Sequence, residues 1–233
     1  MLKDIVIKYA EGKKYFSIEM LKMYLTSQNH DFASQTVKQN LNTLTKEKKI
    51  FNAGRSWYST ISESYQLDTE PVDDFIQVLS NQFPFLPFCC WSTGQLRAHA
   101  HHMLTRFVLF LYAEKDLLTD IFDYLRITHY ETFLNPTQKE ARKLFNIEEK
   151  TVVIRPNISR QPVDNHYATI EKILVDLLIE LERLWIMDKN EYQIIFKNIT
   201  IKNRINISSL LEYGNRRKVK KEIENMLSIP MPL

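Results

Sequence analysis

Glycine, proline and cysteine are scarce in this chain of 233 residues, which contains four, eight and two of them respectively. So little glycine and proline, together with 44% hydrophobic and 25% charged residues, excludes a disordered or fibrous chain. The hydrophobic content is enough for a real core, and the length suits one large domain or two small ones.

The two cysteines, Cys89 and Cys90, are adjacent, and a disulfide between neighbours is strained. They therefore indicate a reducing cytosol rather than a secreted fold held by disulfides. The chain lacks an apolar run of about 18 residues, which excludes a membrane-spanning helix. We expect no signal sequence, because Met1 to Asp4 lead directly into an amphipathic helix. The expected location is the cytoplasm.

Positive charge is concentrated near the N-terminus, although the net charge of the chain is only +3. Residues 1–62 contain ten Lys and Arg against five Asp and Glu, a net charge of +5, which leaves −2 for the rest. A basic N-terminal quarter fits binding to a polyanion. A solvated helical surface is the simpler interpretation of an excess of this size.

The same segment predicts three helices and then a β-hairpin, which is the order of a winged helix-turn-helix. Gly12 ends the first helix, and Ser17 and Ser34 are the predicted N-caps of the second and third. Apolar pairs at 50–51 and 57–58 bracket a glycine-bearing tip. An ordinary small helical domain with a surface hairpin is the alternative, and winged helices also serve as protein-interaction modules.

The third predicted helix has an apolar face, formed by Val37, Leu41 and Leu44, and a polar face. The polar side chains can reach base edges or phosphates when a helix enters the major groove. Arg55 at the hairpin tip would face phosphate or a narrow minor groove. The predicted DNA-binding residues are Ser34, Gln35, Thr36, Lys38, Gln39, Asn42, Arg55 and Ser56.

The rest of the chain predicts a larger domain. Residues 63–83 are expected to form a linker and a connecting helix, and residues 84–233 a mixed α/β domain with late long helices. Short apolar runs at 85–91, 106–112 and 151–154 predict buried strands that alternate with helices. The predicted fold class is therefore α+β, with an N-terminal winged helix-turn-helix followed by this domain.

Two late helical segments carry charged residues. A helix capped by Thr169 has a regular leucine stripe, which is more often a core or a helix–helix seam than a cofactor site. On it, Lys172 and Asp176 stand at i and i+4 and predict a structural ion pair. The last segment, 207–227, contains a basic cluster at 216–221 that fits phosphate or an acidic partner, although a solvated helix face is the simpler interpretation.

Neither a metal site nor a catalytic site is expected. His99, His101 and His102, on a predicted short helix at 95–104, follow the two cysteines, but the spacing matches no common zinc motif. A competing hypothesis is a DNA-associated nuclease or modifying enzyme. Its candidate residues would be Glu114, Lys115, Glu171, Lys172 and Asp176. A third hypothesis is a ligand-responsive transcription regulator whose C-terminal domain is the sensor.

Four stretches of the chain stand in an informative order. They are the N-terminal segment with GRSWY (54–58), FCCWST (88–93), ATIEKILVDLL (168–178) and LLEYGNRRKVKK (210–221). In this order they resemble the AbiEi-type antitoxins of abortive-infection (type IV) toxin–antitoxin systems. The resemblance covers nearly the whole chain, and TIEKILVD and the LxxYxxRR-like pattern are its most specific parts. The chain departs from the pattern at FCCW, where cysteines replace plainer residues.

The resemblance implies a paired function. The N-terminal domain would bind operator repeats, where an oligomer can form, and repress its own operon. The C-terminal domain would counteract a nucleotidyltransferase-type toxin encoded beside it, directly or functionally, without enzymatic activity and without a cofactor. The antitoxin-domain residues that the resemblance implies are Thr169, Glu171, Lys172, Asp176, Tyr213, Arg216 and Arg217.

Overall fold

A computed structural model describes residues 2–101 and 106–228, and the fold is α+β. The chain divides into two compact units. The terminal unit joins residues 1–65 to residues 197–233, and the central unit comprises residues 66–196. This division differs from the predicted boundaries at residues 62 and 83, because the last helices of the chain belong with its first residues.

The N-terminal part of the terminal unit contains three helices and a small antiparallel sheet of strand order β1-β3-β2. Its elements are α1 (Leu2–Ala10), β1 (Tyr15–Ser17), α2 (Ile18–Ser27), α3 (Ser34–Lys46), β2 (Phe51–Asn52) and β3 (Trp57–Ser59). The cap of α2 is confirmed, since Ser17 Oγ accepts a hydrogen bond of 3.1 Å from Met20 N. After α1, Gly12 has a φ of +77°, a left-handed conformation that glycine adopts easily and that ends a helix.

The predicted cap of α3 is wrong. Ala33 occupies the N-cap position and Ser34 is the first helical residue, without a side-chain cap hydrogen bond. The Ser34 hydroxyl instead accepts a hydrogen bond of 2.8 Å from Lys22 Nζ. Ser34 therefore ties α3 to α2 rather than capping α3.

The central unit is built on one six-stranded sheet of strand order β6-β7-β5-β4-β9-β8. Its elements are α4 (Glu70–Gln82), β4 (Phe88–Ser92), β5 (Val108–Ala113), α5 (Leu118–Ile127), β6 (Glu131–Leu134), α6 (Gln138–Leu144), β7 (Thr151–Pro156), β8 (Val163–Asp164), β9 (Tyr167–Ala168) and α7 (Ile170–Leu184). Strands β5, β7 and β6 are parallel, whereas β4 runs antiparallel to β5.

Helices cover both faces of this sheet. Successive side chains of each strand point to opposite faces, so neighbouring residues pack against different helices. On one face, Cys90, Leu111 and Ile154 belong to a core cluster with apolar residues of α4 and α5. On the other face, Tyr112 lies against α7. Helix α4 is thus part of the core of the central unit, which is why it does not act as a connector.

Two predicted elements of the central unit need correction. Strand β4 begins at Phe88 rather than at Phe85, which is 96% exposed and stands between two prolines, Pro84 and Pro87, that cannot donate ladder hydrogen bonds. The predicted helix at 95–104 is a 3-10 helix at Thr93–His99, begun by a capping box in which Ser92 and Gln95 bond to each other's backbone. The end of that prediction lies outside the described residues.

The C-terminal segment contains α8 (Lys189–Lys202), α9 (Ile207–Arg216) and α10 (Lys220–Ser228). The predicted single segment at 207–227 is therefore two helices, broken at Lys218, whose φ is +63°. Gly214 permits the close turn, because a Cβ there would lie 2.8 Å from Ile223 Cδ1. Within the described part of the chain, none of the helices has the length and apolar content needed to cross a bilayer.

Candidate functional site

Helix α3 presents one face to the core and the other to solvent. Val37, Leu41 and Leu44 are fully buried and pack with α1, as their helical spacing predicts. The same spacing places Lys38 and Gln39 on the exposed face. The buried stripe fixes the orientation of the helix, so its polar face is presented in one defined direction.

Most polar side chains on the exposed face of α3 form no hydrogen bond or ion pair with the residues that the structure describes. Gln35, Lys38, Gln39 and Asn42 are exposed, and none of their side chains hydrogen-bonds or ion-pairs with another residue that the structure describes. Thr36, in contrast, is half-buried, and its carbonyl accepts a hydrogen bond from Asn40 Nδ2 at 2.8 Å. Four of the predicted DNA-binding side chains on α3 are therefore free to contact an external group.

The β2–β3 hairpin presents Arg55 and Ser56, both exposed, at its tip. Asn52 Oδ1 accepts a hydrogen bond of 2.9 Å from Gly54 N and fixes the turn. Gly54 has a φ of +109°, a backbone conformation that residues with a side chain rarely adopt. A Cβ at this position would also lie 2.2 Å from Asn206 Oδ1, so only glycine fits at residue 54.

The hairpin is braced by a segment about 150 residues later in the chain, which sequence reasoning missed. Ile207 N donates a hydrogen bond of 2.8 Å to Ala53 O in the tip. Arg204 donates to the carbonyl of Ile61 at 2.8 Å and also to that of Ser62. The start of α9 is therefore a structural part of the N-terminal module, and this contact explains why residues 197–228 belong to the terminal unit.

Further hydrogen bonds anchor the same segment to β1. The hydroxyl of Tyr15 donates to Asn203 O at 2.8 Å and accepts from Ile205 N at 3.1 Å. The guanidinium of Arg204 lies 5.1 Å from the centre of the Phe51 ring. These contacts hold β1 and β2 through one late segment of the chain.

The two units have opposite net charges. The terminal unit contains eighteen Lys and Arg against nine Asp and Glu, a net charge of +9. The central unit contains thirteen Lys and Arg against nineteen Asp and Glu, a net charge of −6. The linear sequence conceals most of this separation, because the basic C-terminal residues join the basic N-terminal ones only in the folded chain.

The polar residues of α7 are buried and paired, unlike those of α3. Lys172 Nζ lies 2.6 Å from Asp176 Oδ2, and both side chains are fully buried, which confirms the predicted ion pair. Lys172 Nζ also lies 3.5 Å from the centre of the Tyr112 ring. At the start of the helix, the Thr169 hydroxyl donates to Glu171 Oε2 at 2.6 Å. This cluster stabilises the contact between α7 and the sheet.

A second buried ion pair, between Arg155 and Glu180, was not predicted. Arg155 Nε donates to Glu180 Oε1 at 3.0 Å, and Arg155 Nη1 donates to Pro136 O at 2.8 Å and to Asn135 Oδ1 at 3.1 Å. The fork geometry of the guanidinium satisfies several acceptors at once. The available signal was a lone arginine directly after the apolar run TVVI.

The cysteines are buried and unreactive. Both are free thiols on β4. Burial raises the pKa of the Cys89 thiol to about 11, opposed by Lys172 and reinforced by Asp176. Burial also raises the pKa of Cys90 well above its ordinary value. At neutral pH neither is a thiolate, which is the form that attacks electrophiles and binds metals.

The histidines that invited a zinc hypothesis are not gathered into a site. His99 ends the 3-10 helix, and His101 is exposed, with its backbone N–H donating to Glu191 Oε1 at 2.6 Å. His102 lies outside the described residues. Among the residues that are described, His, Cys, Asp and Glu do not form a group of three that could hold a metal ion.

The residues of the antitoxin resemblance fall into both units. Thr169, Glu171, Lys172 and Asp176 belong to the central unit, whereas the YGNRR part of the pattern (213–217) belongs to the terminal unit. In that second group, Tyr213 is fully buried in α9 and supports its packing. Arg216 Nη2 lies 3.9 Å from Glu212 Oε2, and Arg217 is half-buried in the turn before α10.

The candidate residues of the enzyme hypothesis differ in exposure. Glu114 and Lys115 are exposed after β5, whereas Glu171, Lys172 and Asp176 are buried. A substrate cannot reach the Lys172–Asp176 pair without separating α7 from the sheet. These five residues therefore do not line one accessible surface.

The fold and these surfaces define an α+β protein with a basic unit and an acidic unit. The chain belongs to a family of unknown function, DUF6577, which matches residues 36–232. The match begins within α3 and extends beyond α10, so it includes segments of both units. A comparison with curated proteins gives no significant match.

Proposed function

We propose that the chain is a DNA-binding antitoxin and transcriptional autorepressor. The observation that carries the proposal is the exposed face of α3, where the side chains of Gln35, Lys38, Gln39 and Asn42 have no partner among the described residues. None of the four is buried, so their side chains add little packing energy to the protein, and asparagine is also a weak helix former. Their chemistry matches the edges of DNA bases.

In this proposal, α2 and α3 act as a helix-turn-helix and the β2–β3 hairpin acts as its wing. Helix α3, with 13 residues, is about 20 Å long and enters the major groove. Gln35, Gln39 and Asn42 contact base edges, for which adenine is the usual partner of an amide. Lys38 contacts a phosphate, and Arg55 contacts either a phosphate or the minor groove. These contacts fix the register of the protein on the duplex.

The charge of the terminal unit supports this assignment. A net charge of +9 favours DNA association through the release of condensed counterions. The braced hairpin is also suited to binding, because a pre-ordered loop loses little conformational entropy when it contacts a ligand. Thr36 and Ser34 have a smaller role in this proposal. Thr36 is half-buried, and the Ser34 hydroxyl is hydrogen-bonded to Lys22.

The antitoxin part of the proposal rests on the resemblance to AbiEi-type antitoxins, of which the stretches 88–93 and 168–178 lie in the central unit and 210–221 in the terminal unit. We assign the contact with a nucleotidyltransferase-type toxin, direct or functional, to the acidic central unit. Its net charge of −6 suits a protein whose own site binds nucleotides and is therefore basic. The protein would act in the cytoplasm as a binding protein rather than as an enzyme, without a metal or a cofactor.

A bandshift titration tests the DNA-binding part. The probe is a duplex from upstream of the protein's own gene, and a scrambled duplex of equal composition is the competitor. We expect Gln39→Ala to reduce the preference for the upstream duplex, and Lys38→Ala to weaken both duplexes equally. Lys139→Ala on α6 is the matched control, since it removes an exposed lysine from the central unit. Equal binding of both duplexes by the wild type would reject autorepression.

A growth assay tests the antitoxin part. The adjacent gene is expressed from an inducible promoter, with and without this chain on a second plasmid. We expect the chain to restore growth, and we expect Lys38→Ala with Arg55→Ala to restore it equally, because DNA binding and neutralisation use different units. If the adjacent gene is not toxic, or if the chain fails to restore growth, the antitoxin assignment is wrong.

A further inference from the structure

We propose that the turn between α9 and α10 makes a second contact with the DNA backbone, through Lys218 and Lys221. This inference rests on the proposed DNA binding and adds a surface that is remote in sequence from α3. Residues 216–221 contain five Lys and Arg in six positions. Such a concentration of like charge costs free energy through mutual repulsion unless a polyanion lies against it.

Helix stability explains only part of the cluster. Arg216 and Arg217 stand at the C-terminal end of α9, where the helix dipole favours cations. Lys220 and Lys221 occupy the first two positions of α10, where the dipole disfavours them. Lys220 is compensated by Glu224, whose Oε1 lies 3.4 Å from its Nζ. Lys221 therefore weakens the first turn of α10.

Lys218 and Lys221 are exposed, and neither forms an ion pair or a side-chain hydrogen bond with any residue in the described ranges. Two uncompensated cations three residues apart suit an anionic ligand with repeated charges. A nucleic-acid backbone, with about one charge per 1.7 Å of duplex, is such a ligand. Both lysines belong to the unit whose net charge is +9, and not to the acidic unit.

The turn presents these lysines in a fixed geometry. Val219 N donates to Gly214 O at 2.9 Å, and Lys218 N donates to Asn215 O at 3.1 Å. Gly214 packs closely under Ile223, so α9 and α10 cannot move apart without losing this contact. A fixed turn loses little conformational entropy on binding.

The turn also lies a defined length from the hairpin tip. Helix α9 begins against the tip, where Ile207 N bonds to Ala53 O, and it has ten residues. At 1.5 Å per residue, its far end lies about 15 Å along the helix axis. This length is close to half a turn of B-DNA, about 17 Å. The separation between the hairpin tip and the turn is therefore of the same order as the phosphate spacing around half a turn of duplex.

The salt dependence of DNA binding tests the inference. Fluorescence anisotropy with the upstream duplex and with a scrambled duplex is measured from 50 to 300 mM salt, for the wild-type chain and for K218Q/K221Q. The matched control is K139Q/K143Q, which removes two exposed lysines from α6 of the central unit. We expect the slope of log affinity against log salt to fall in magnitude by about 2 for K218Q/K221Q, on both duplexes, and not for the control.

The possible outcomes separate this inference from the proposed function. If the wild type binds DNA and K218Q/K221Q keeps the wild-type slope, the second contact is rejected while the proposed DNA binding stands. If the control pair lowers the slope by the same amount, the effect is one of net charge alone and the second contact is also rejected. If the wild type shows no salt-dependent binding to either duplex, both proposals fail.

Discussion

The terminal and central units use their polar residues in opposite ways. On α3 of the terminal unit, Lys38 and Gln39 are exposed and have no side-chain partner among the described residues. On α7 of the central unit, Lys172 and Asp176 are fully buried and paired at 2.6 Å. Helical spacing alone does not distinguish the two cases, since both helices carry charges beside an apolar stripe.

Burial decides what a charged residue on an amphipathic helix contributes. A buried pair is retained because removing one partner leaves an unpaired charge in a medium of low polarity. An exposed, unpartnered set contributes little to stability and is therefore available for recognition. The two sets should therefore differ in how far their substitution changes the stability of the protein.

Removing Asp176 should have the largest effect. Asp176→Ala leaves the Lys172 ammonium buried without its carboxylate, so we expect the free energy of unfolding to fall by about 3–5 kcal/mol. Urea unfolding followed by circular dichroism measures this loss. The double variant Lys172→Met with Asp176→Val should recover most of the stability, because it removes both charges and changes the buried volume little. A loss below about 1 kcal/mol for Asp176→Ala would mean that the pair is accessible to water.

Removing the brace of the hairpin should come next. Arg204→Ala deletes the charge-assisted hydrogen bonds to Ile61 O and Ser62 O, so we expect a loss of about 2 kcal/mol. Hydrogen exchange should show faster exchange of the β2–β3 amides. Lys202→Ala is the control, since Lys202 is exposed and ends α8. Unchanged hairpin exchange in Arg204→Ala would show that the Arg204 guanidinium does not hold the hairpin in place.

The buried thiol should make stability depend on pH in the alkaline range. Since the folded pKa of Cys89 is raised from 9.0 to about 11, its contribution is fully present below pH 9 and is lost as the pH rises through 11. We therefore expect the free energy of unfolding to fall between pH 9 and 11, by an amount of the same order as the loss in Arg204→Ala. Urea unfolding of Cys89→Ala, under reducing conditions, should show a shallower fall. Equal slopes in the two proteins would contradict the burial of this thiol.

The smallest change in stability should come from the proposed DNA contacts. Lys38→Ala and Arg55→Ala should each change the free energy of unfolding by less than about 0.5 kcal/mol, since both side chains are exposed. Each should nevertheless lower the salt slope of DNA binding by about 1. Thermal unfolding and anisotropy on the same samples measure both quantities. If either variant lost stability and kept its DNA affinity, that side chain would be a structural residue rather than a DNA contact.

The local features of the fold were predictable because short-range spacing determines them. The stripe of Val37, Leu41 and Leu44 gives α3, and the Ser17 cap gives the start of α2. The alternation of short apolar runs with helices predicts the buried strands of the central unit. The Lys172–Asp176 pair was also predictable, because i and i+4 residues of a helix always face each other.

The features that were missed depend on contacts between distant parts of the chain. The hydrogen bonds of Arg204 to residues 61–62 join segments more than 140 residues apart, and no local pattern encodes them. Arg155 and its partner Glu180 lie on a strand and on a helix, so no helical or strand repeat relates their positions. For the same reason the charge separation was underestimated, since the basic residues after 197 join the terminal unit only in the fold.

The affinity ratio between two duplexes tests the role of α3 as a recognition helix. Fluorescence anisotropy compares the upstream region of the protein's own gene with a scrambled duplex of the same length and composition, at one fixed salt concentration. We predict a ratio of at least about 1,000, as for specific DNA-binding proteins, and its loss in Gln39→Ala with Asn42→Ala. A ratio near one for the wild type, or a high ratio that survives in this double variant, would contradict the assignment of α3 as the recognition helix.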